Sequence, residues 1–217
     1  MNTEFKCKHT RKWLNVAAAA SLAAIGMGTA FAEDGSMTLH SATFANGGTL
    51  PLSMINNIPG ANGNNTCTAS GAAGGNQSPQ LTWRHAPDET RSFMVIVYDV
   101  VAQFTHWAMY NIPAGTTTLP ENAGIADSGY GIQNGNDFFT PSYGGPCPPT
   151  TLQPLVHEYT FTVYALDEFL PIVKAYGDFV PAGPEGLYQE LINASRGHHV
   201  LASATIRGYF SAAPAGN

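Results

Sequence analysis

Basic residues are scarce in this chain of 217 residues: Lys and Arg together number nine, against fifteen Asp and Glu. Four of the nine, Lys6, Lys8, Arg11 and Lys12, crowd the start, where Glu4 is the one acid before residue 33. Five basic and fourteen acidic residues therefore remain beyond residue 32, a formal charge of −9. The five are scattered as Arg84, Arg91, Lys174, Arg196 and Arg207. Without a basic cluster to neutralise phosphates, no nucleic-acid partner is expected. An anionic membrane surface has equally little to attract. Long apolar runs are missing after the N-terminal region, so the mature chain is expected to carry no transmembrane segment. Hydrolase and metalloprotease signatures are missing too. There is no G-x-S-x-G, and "HEYTF" (157–161) breaks H-E-x-x-H at its last position. No enzyme activity, catalytic residue, metal or cofactor is expected.

What is present begins with a basic start, then an Ala-rich apolar run from about Trp13 to Ala24 and an A-x-A pattern at Ala30-Phe31-Ala32. This reads as a secretory signal peptide over 1–32. The alternative, a membrane anchor, needs a longer apolar run. The remaining 33–217 has the length of a single domain. A periplasmic or secreted location follows. Cysteine is sparse, at three residues, and Cys7 would leave with the leader. Cys67 and Cys147 then form one pair in an oxidising compartment, and a disulfide is expected. A two-Cys metal site is the alternative, but no histidine lies within a few residues of either.

Strand signals dominate. "RSFMVIVYD" is a β-branched and aromatic run in which Phe93, Val95, Val97 and Asp99 share a face. In "FTHWAMYNIP", simple alternation puts Phe104, His106, Ala108 and Tyr110 on one face. In "HEYTFTVYALD", His157, Tyr159, Phe161, Val163 and Ala165 face one way and Glu158, Thr160 and Thr162 the other. "HHVLASATIRGYF" closes the chain as a further strand. One helix is expected at "PEGLYQELINASRG", with Leu187, Tyr188, Leu191 and Ile192 as its apolar stripe and Gly197 as its stop. Asn56 to Pro79, rich in Gly and Asn, is the least ordered stretch. The fold class is mostly β, antiparallel, with a late helix. Asp99, His106, His157 and Tyr159 are polar residues on mainly apolar faces. Burying them apart would be costly, so they are expected to meet. Trp83 and Trp107 are expected in the core and His199 in a structural role.

The segments "TC…SPQLTW", "SFMVIVYD", "HWAMYNIPAGTTTLPE", "NDFF…YGGPCPP", "HEYTFTVYALD" and "GHHVLASATIRGY" follow one another as in the phosphatidylethanolamine-binding protein family. The resemblance runs from about Met37 to Phe210 and is strongest to the bacterial Raf-kinase-inhibitor-like branch. It implies a Greek-key β-sandwich of antiparallel sheets with a small C-terminal helical part. It also implies a small pocket for anions such as phosphate, acetate or a phospholipid head group. Carried onto this sequence, the ligand-binding residues are Asp99, His106, Gly145, Pro146, His157 and Tyr159. The family's D-P-D-x-P reads "DVVAQ" here, with Val101 in place of the second acid, and Glu158 stands in H-x-Y. Glu158 should point away from the pocket.

These residues suggest a chemistry. The glycines of "YGGPCPP" would let backbone N–H groups approach an anion while the prolines stiffen the loop. Cys147 would tie that loop to Cys67. Asp99 would fix one histidine's tautomer and favour its cation, so that binding weakens as pH rises through the histidine pKa. The expected function is an exported binding protein for a small anion or phosphorylated head group. The alternative is a protein-interaction or inhibitor module, with an envelope or host partner at the pocket rim.

Overall fold

The computed structural model describes residues 36–172 and 184–212. The signal peptide expected over 1–32 lies outside them. The described residues belong to one unit, Asp34–Asn217. In chain order the elements are β1 (Thr38–His40), β2 (Gly48–Thr49), β3 (Leu81–Arg84), β4 (Ser92–Asp99), β5 (Phe104–Pro113), β6 (Thr118–Leu119), β7 (Ile132–Asn134), β8 (His157–Leu166), α1 (Pro184–Arg196) and β9 (Val200–Phe210). A single 3-10 turn, Leu52–Met54, follows β2.

Two sheets form. One has the order β1-β3-β6 and the other β2-β9-β8-β4-β5-β7. All pairings are antiparallel except that of the two-residue β2 with β9. Leu81, Trp83 and Leu119 of the small sheet meet Phe93, Val95, Val97, Trp107, Met109, Phe161 and Val163 of the large one. The Trp83 ring stands edge-on to Phe93 at 5.1 Å. The other face of the large sheet is apolar too: Met94, Ile96, Ala108 and Tyr110 pack with Leu166, Leu170, Leu187 and Ala194. Strand β4 is thus covered on both faces, which is why its sequence is a continuous apolar run rather than an alternating one. On β8, Tyr159, Phe161, Val163 and Ala165 face the sandwich interior as the alternation predicts.

Two local expectations need correction. In α1, Leu187 is buried and Tyr188 and Leu191 partly so, but Ile192 is exposed. The helix ends at Arg196, directly before Gly197 as expected; the Gly197 N–H closes on the Asn193 carbonyl, and the left-handed residue is His198, at φ 63°. The loop from Asn56 to Pro79 is not loosely organised. Buried Asn65 donates to the carbonyls of Asn56 and Ala72 and accepts from the amides of Ile58 and Cys67. Cys67 is bonded to Cys147, 80 residues on, so the disulfide expected from the sequence is present. Among the described residues, no helix is long and apolar enough to cross a membrane.

Candidate functional site

Asp99 ends β4, His157 opens β8, and the two strands pair with Asp99 opposite Tyr159. Register alone therefore brings three polar residues to one end of the sheet. His106 arrives by a different device. Across β4, Val97 lies opposite Trp107 but Tyr98 lies opposite Thr105, so β5 carries one extra residue, His106, in a β-bulge. Thr105 faces the helix, where its hydroxyl bonds that of Tyr188 at 2.7 Å. His106 turns inward beside Trp107, and its ring lies 5.3 Å from that of Tyr159. The alternation that grouped His106 with Ala108 and Tyr110 is therefore wrong, because a bulge re-aims every side chain beyond it.

The carboxylate of Asp99 collects three N–H donors. Its Oδ1 accepts from the amides of Val101 and Ala102 at 2.9 and 2.8 Å. Its Oδ2 accepts from His157 Nδ1 at 2.7 Å. The chain between β4 and β5 wraps around this carboxylate, and Val101 contributes its backbone amide where the family's motif has an acid. Asp99 and His157 are both buried. On the far side of the ring, His157 Nε2 is buried with no hydrogen-bond partner among the described residues, and so is the Tyr159 hydroxyl. Burial, then the nearby Asp99 charge and the approach of its carboxylate to the hydroxyl, raise the Tyr159 phenol above its ordinary range, so it stays an O–H. His106 Nδ1 donates to the Gly144 carbonyl at 2.6 Å. Burial lowers the pKa of His106, an effect larger than the opposing pull of the Gly144 carbonyl and the Asp99 charge. The expected tautomer lock exists at His157, while His106 is biased toward its neutral form.

Gly145 and Pro146 sit beside this cluster, but not as expected. The Gly145 amide donates to Asn76 Oδ1 at 2.7 Å, and the Gly144 amide to the His106 carbonyl at 2.9 Å. Both are spent on the protein, so neither is offered to an anion. The Pro146 carbonyl accepts from Asn56 N. Glycine is required at 145 for packing: a Cβ there would strike the Met54 carbonyl oxygen and the Asn56 amide. A Cβ at Gly144 would strike the Phe138 ring. The loop is a wall held from behind by the disulfide, and its contribution to the cluster is the Gly144 carbonyl.

Sequence reasoning missed three supporting residues. Phe104 and Phe138 flank the His106 ring at 5.0 and 5.6 Å. Buried Asn136 donates to the His106 and Ser142 carbonyls and accepts from the amides of Phe138 and Thr140. Asn136 and Phe138 lie in a segment quoted for the resemblance and Phe104 in the strand segment "FTHWAMYNIP", but only the fold brings them to the bulge. Glu158 points away, pairing with Arg207 at 3.0 Å and accepting from the Tyr209 hydroxyl. Trp83 and Trp107 are buried, and His199 bonds Asp167. No group of three or more His, Cys, Asp or Glu among the described residues could hold a metal ion.

The fold and this end-of-sheet cluster define a β-sandwich with a buried acid–imidazole pair beside a second imidazole and a phenol. The sequence profile of the phosphatidylethanolamine-binding protein family matches residues 40–211, and the chain belongs to that family. It is 43% identical over 111 residues to the UPF0098 protein YbcL of Escherichia coli (strain K12), a match spanning 47% of this chain and 60% of that protein. It is 35% identical to the UPF0098 protein YbhB of the same organism, over 65% of this chain and 85% of YbhB. The crystal structure of E. coli YbcL, described as a new member of the mammalian PEBP family, superposes with a TM-score of 0.62. That superposition has 29% identity and covers 82% of this chain and 99% of the other.

Proposed function

We propose that this protein is an exported binding protein whose Asp99–His106–His157–Tyr159 cluster lines a pocket for a small anion or a phosphorylated head group. One observation carries the reading: two polar atoms of the cluster, His157 Nε2 and Tyr159 Oη, are buried with no hydrogen-bond partner among the described residues. Such atoms cost about 1–3 kcal/mol each unless something completes them. Asp99 supports the reading by holding His157 in one orientation. Family membership supports it as well. The basic start, apolar run and A-x-A pattern of 1–32 favour export to the periplasm or the medium.

The pocket binds without turnover. Among the described residues the histidines hydrogen-bond to a carboxylate and a backbone carbonyl, and neither activates a hydroxyl or thiol nucleophile. Calorimetric titration of inorganic phosphate and phosphoethanolamine into the purified protein tests the reading, with His157→Ala alongside. Saturable heat from the wild type alone supports it. No heat from either, with both folded, removes it.

A second reading has its own observation. Val100, Phe139 and Val156 are exposed apolar residues, and each adjoins a residue of the cluster or its flanking aromatic wall. Such a rim suits a protein partner. A partner held there is retained by His157→Ala and released by Phe139→Ser, the reverse of the pattern for a ligand inside the pocket.

A further inference from the structure

The helix-facing side of the large sheet holds a groove of about 260 Å³, lined by Ile96, Tyr98, Thr160, Thr162, Tyr164 and Tyr188. It lies on the opposite face from the Asp99 cluster, because Tyr98 precedes Asp99 and Thr160 follows Tyr159 in strands whose side chains alternate between faces. Register sets its dimensions. Tyr98 lies opposite Thr160 and Ile96 opposite Thr162, so these four make the floor. Tyr164 stands four residues beyond Thr160 on β8, a run of about 13 Å. One tyrosine is thus at each end of the floor, and Tyr188 of α1 flanks it. All three rings pack against the apolar layer between the sheet and α1, which holds them in place.

The hydroxyls are unequally committed. That of Tyr188 bonds Thr105 at 2.7 Å, and that of Thr162 bonds Thr205 at 2.9 Å. No described residue bonds the hydroxyl of Tyr98 or of Tyr164. Burial raises the Tyr164 phenol, and burial, then the charges of Asp137 and Asp99, raise that of Tyr98, so both stay O–H donors. None of the six lining residues is charged. The charges acting on Tyr98 are acidic, and Arg207, opposite Thr160 on β9, is paired with Glu158. An anion is therefore repelled. A compact organic cation could sit on one ring, but it could not reach from Tyr98 to Tyr164. An acyl chain would cover two phenol hydroxyls without bonding them, which is costly.

What fits is an extended, uncharged body with C–H faces for the rings and hydroxyls for the phenols. We propose that this groove binds a short neutral oligosaccharide, its sugar faces laid on Tyr98 and Tyr164 and its hydroxyls bonded to theirs. The slightly positive C–H groups of a sugar face meet the negative face of an aromatic ring, and the phenol O–H supplies the polar handle. The site is independent of the anion-binding reading above.

The test is calorimetric titration of cellotriose, maltotriose and triacetylchitotriose into the purified protein. Tetramethylammonium and decanoate serve as the compact cation and the acyl chain. The expected result is saturable binding of at least one trisaccharide. Tyr164→Ala, checked for folding by its melting curve, should weaken it about tenfold or more through loss of the apolar ring surface. Tyr164→Phe keeps the ring and its packing and should weaken it about two- to tenfold through the lost hydrogen bond. Phosphate titration should be unchanged in Tyr164→Ala, and trisaccharide binding unchanged in His157→Ala, so the two sites stand or fall separately. No trisaccharide binding overturns the proposal, and so does saturable binding of tetramethylammonium or decanoate alone. Trisaccharide binding that both folded Tyr164 variants retain in full, or that His157→Ala abolishes, places the sugar elsewhere and overturns it too.

Discussion

Asp99 organises the residues around it through three N–H bonds to two oxygens. Asp99→Ala would leave two turn amides and the His157 ring without an acceptor in a buried place. Leaving a buried donor without its acceptor costs about 1–3 kcal/mol. Urea unfolding of Asp99→Ala should show a loss of that order, and a loss below about 1 kcal/mol would contradict the arrangement. His106 makes a separate prediction about pH. Its folded pKa lies below the ordinary 6.5, with burial as the leading cause. Between the folded and unfolded values the unfolded chain binds more protons, so stability falls as the pH drops. The stability contributed by neutral His106 is full above about pH 6.5 and is lost as the pH falls through the window beneath. The urea midpoint of the wild type should therefore drop more between pH 7.5 and 5.5 than that of His106→Gln. Equal drops would show that the ring titrates as it does in the unfolded chain. At this scale the sequence was informative: Asp99, His157 and Tyr159 were each recognisable as polar residues on apolar faces, and they do meet.

Where pairing is regular the strand faces were legible, and at the slip in β5 beside His106 they were not. β8 alternates cleanly, so the inward set of Tyr159, Phe161, Val163 and Ala165 follows from period two alone. In β5 the same rule fails at His106, because an inserted residue leaves no mark in the composition of the strand. The loop "YGGPCPP" was legible as rigid, but its purpose was misjudged. Its glycines serve contact with the backbone at 54–56 and with Phe138, while their amides serve Asn76 and His106. Gly145→Ala should accordingly destabilise the fold by about 1–3 kcal/mol, the usual cost of overpacking, visible as a lower melting temperature. An unchanged melting temperature would mean that the loop and the 54–56 segment part easily. Across the sheet, Tyr188→Phe removes the hydroxyl bonded to Thr105 on the helix side of the bulge. It should cost about 0.5–1.5 kcal/mol and leave phosphate affinity unchanged.

For the whole molecule, the disulfide joins the Asn65-centred loop to the wall beside His106 across 80 residues. Its presence was readable from the count of cysteines left after a leader. Its position behind the Gly144 carbonyl was not, since that needs the course of the chain between β7 and β8. In the chain-entropy account a closure of that length contributes about 4 kcal/mol. The double variant Cys67→Ser, Cys147→Ser should lose stability of that order in urea, and a loss under about 1 kcal/mol would show that other contacts already hold the two loops together. The sandwich itself was legible as a mostly β fold from its strand-rich pattern and, through the order of its motifs, as that of its family. The two-sided burial of β4 explains why that strand gave the strongest signal: it has no solvent face on which polar residues would interrupt the run.

The most direct test of the central claim is a phosphate titration followed through the imidazole resonances of the histidines by NMR. The account predicts saturable shifts confined to His106 and His157, with His40, His85, His198 and His199 unmoved. Shifts at the other histidines, or none at His157, would place the anion elsewhere and contradict it.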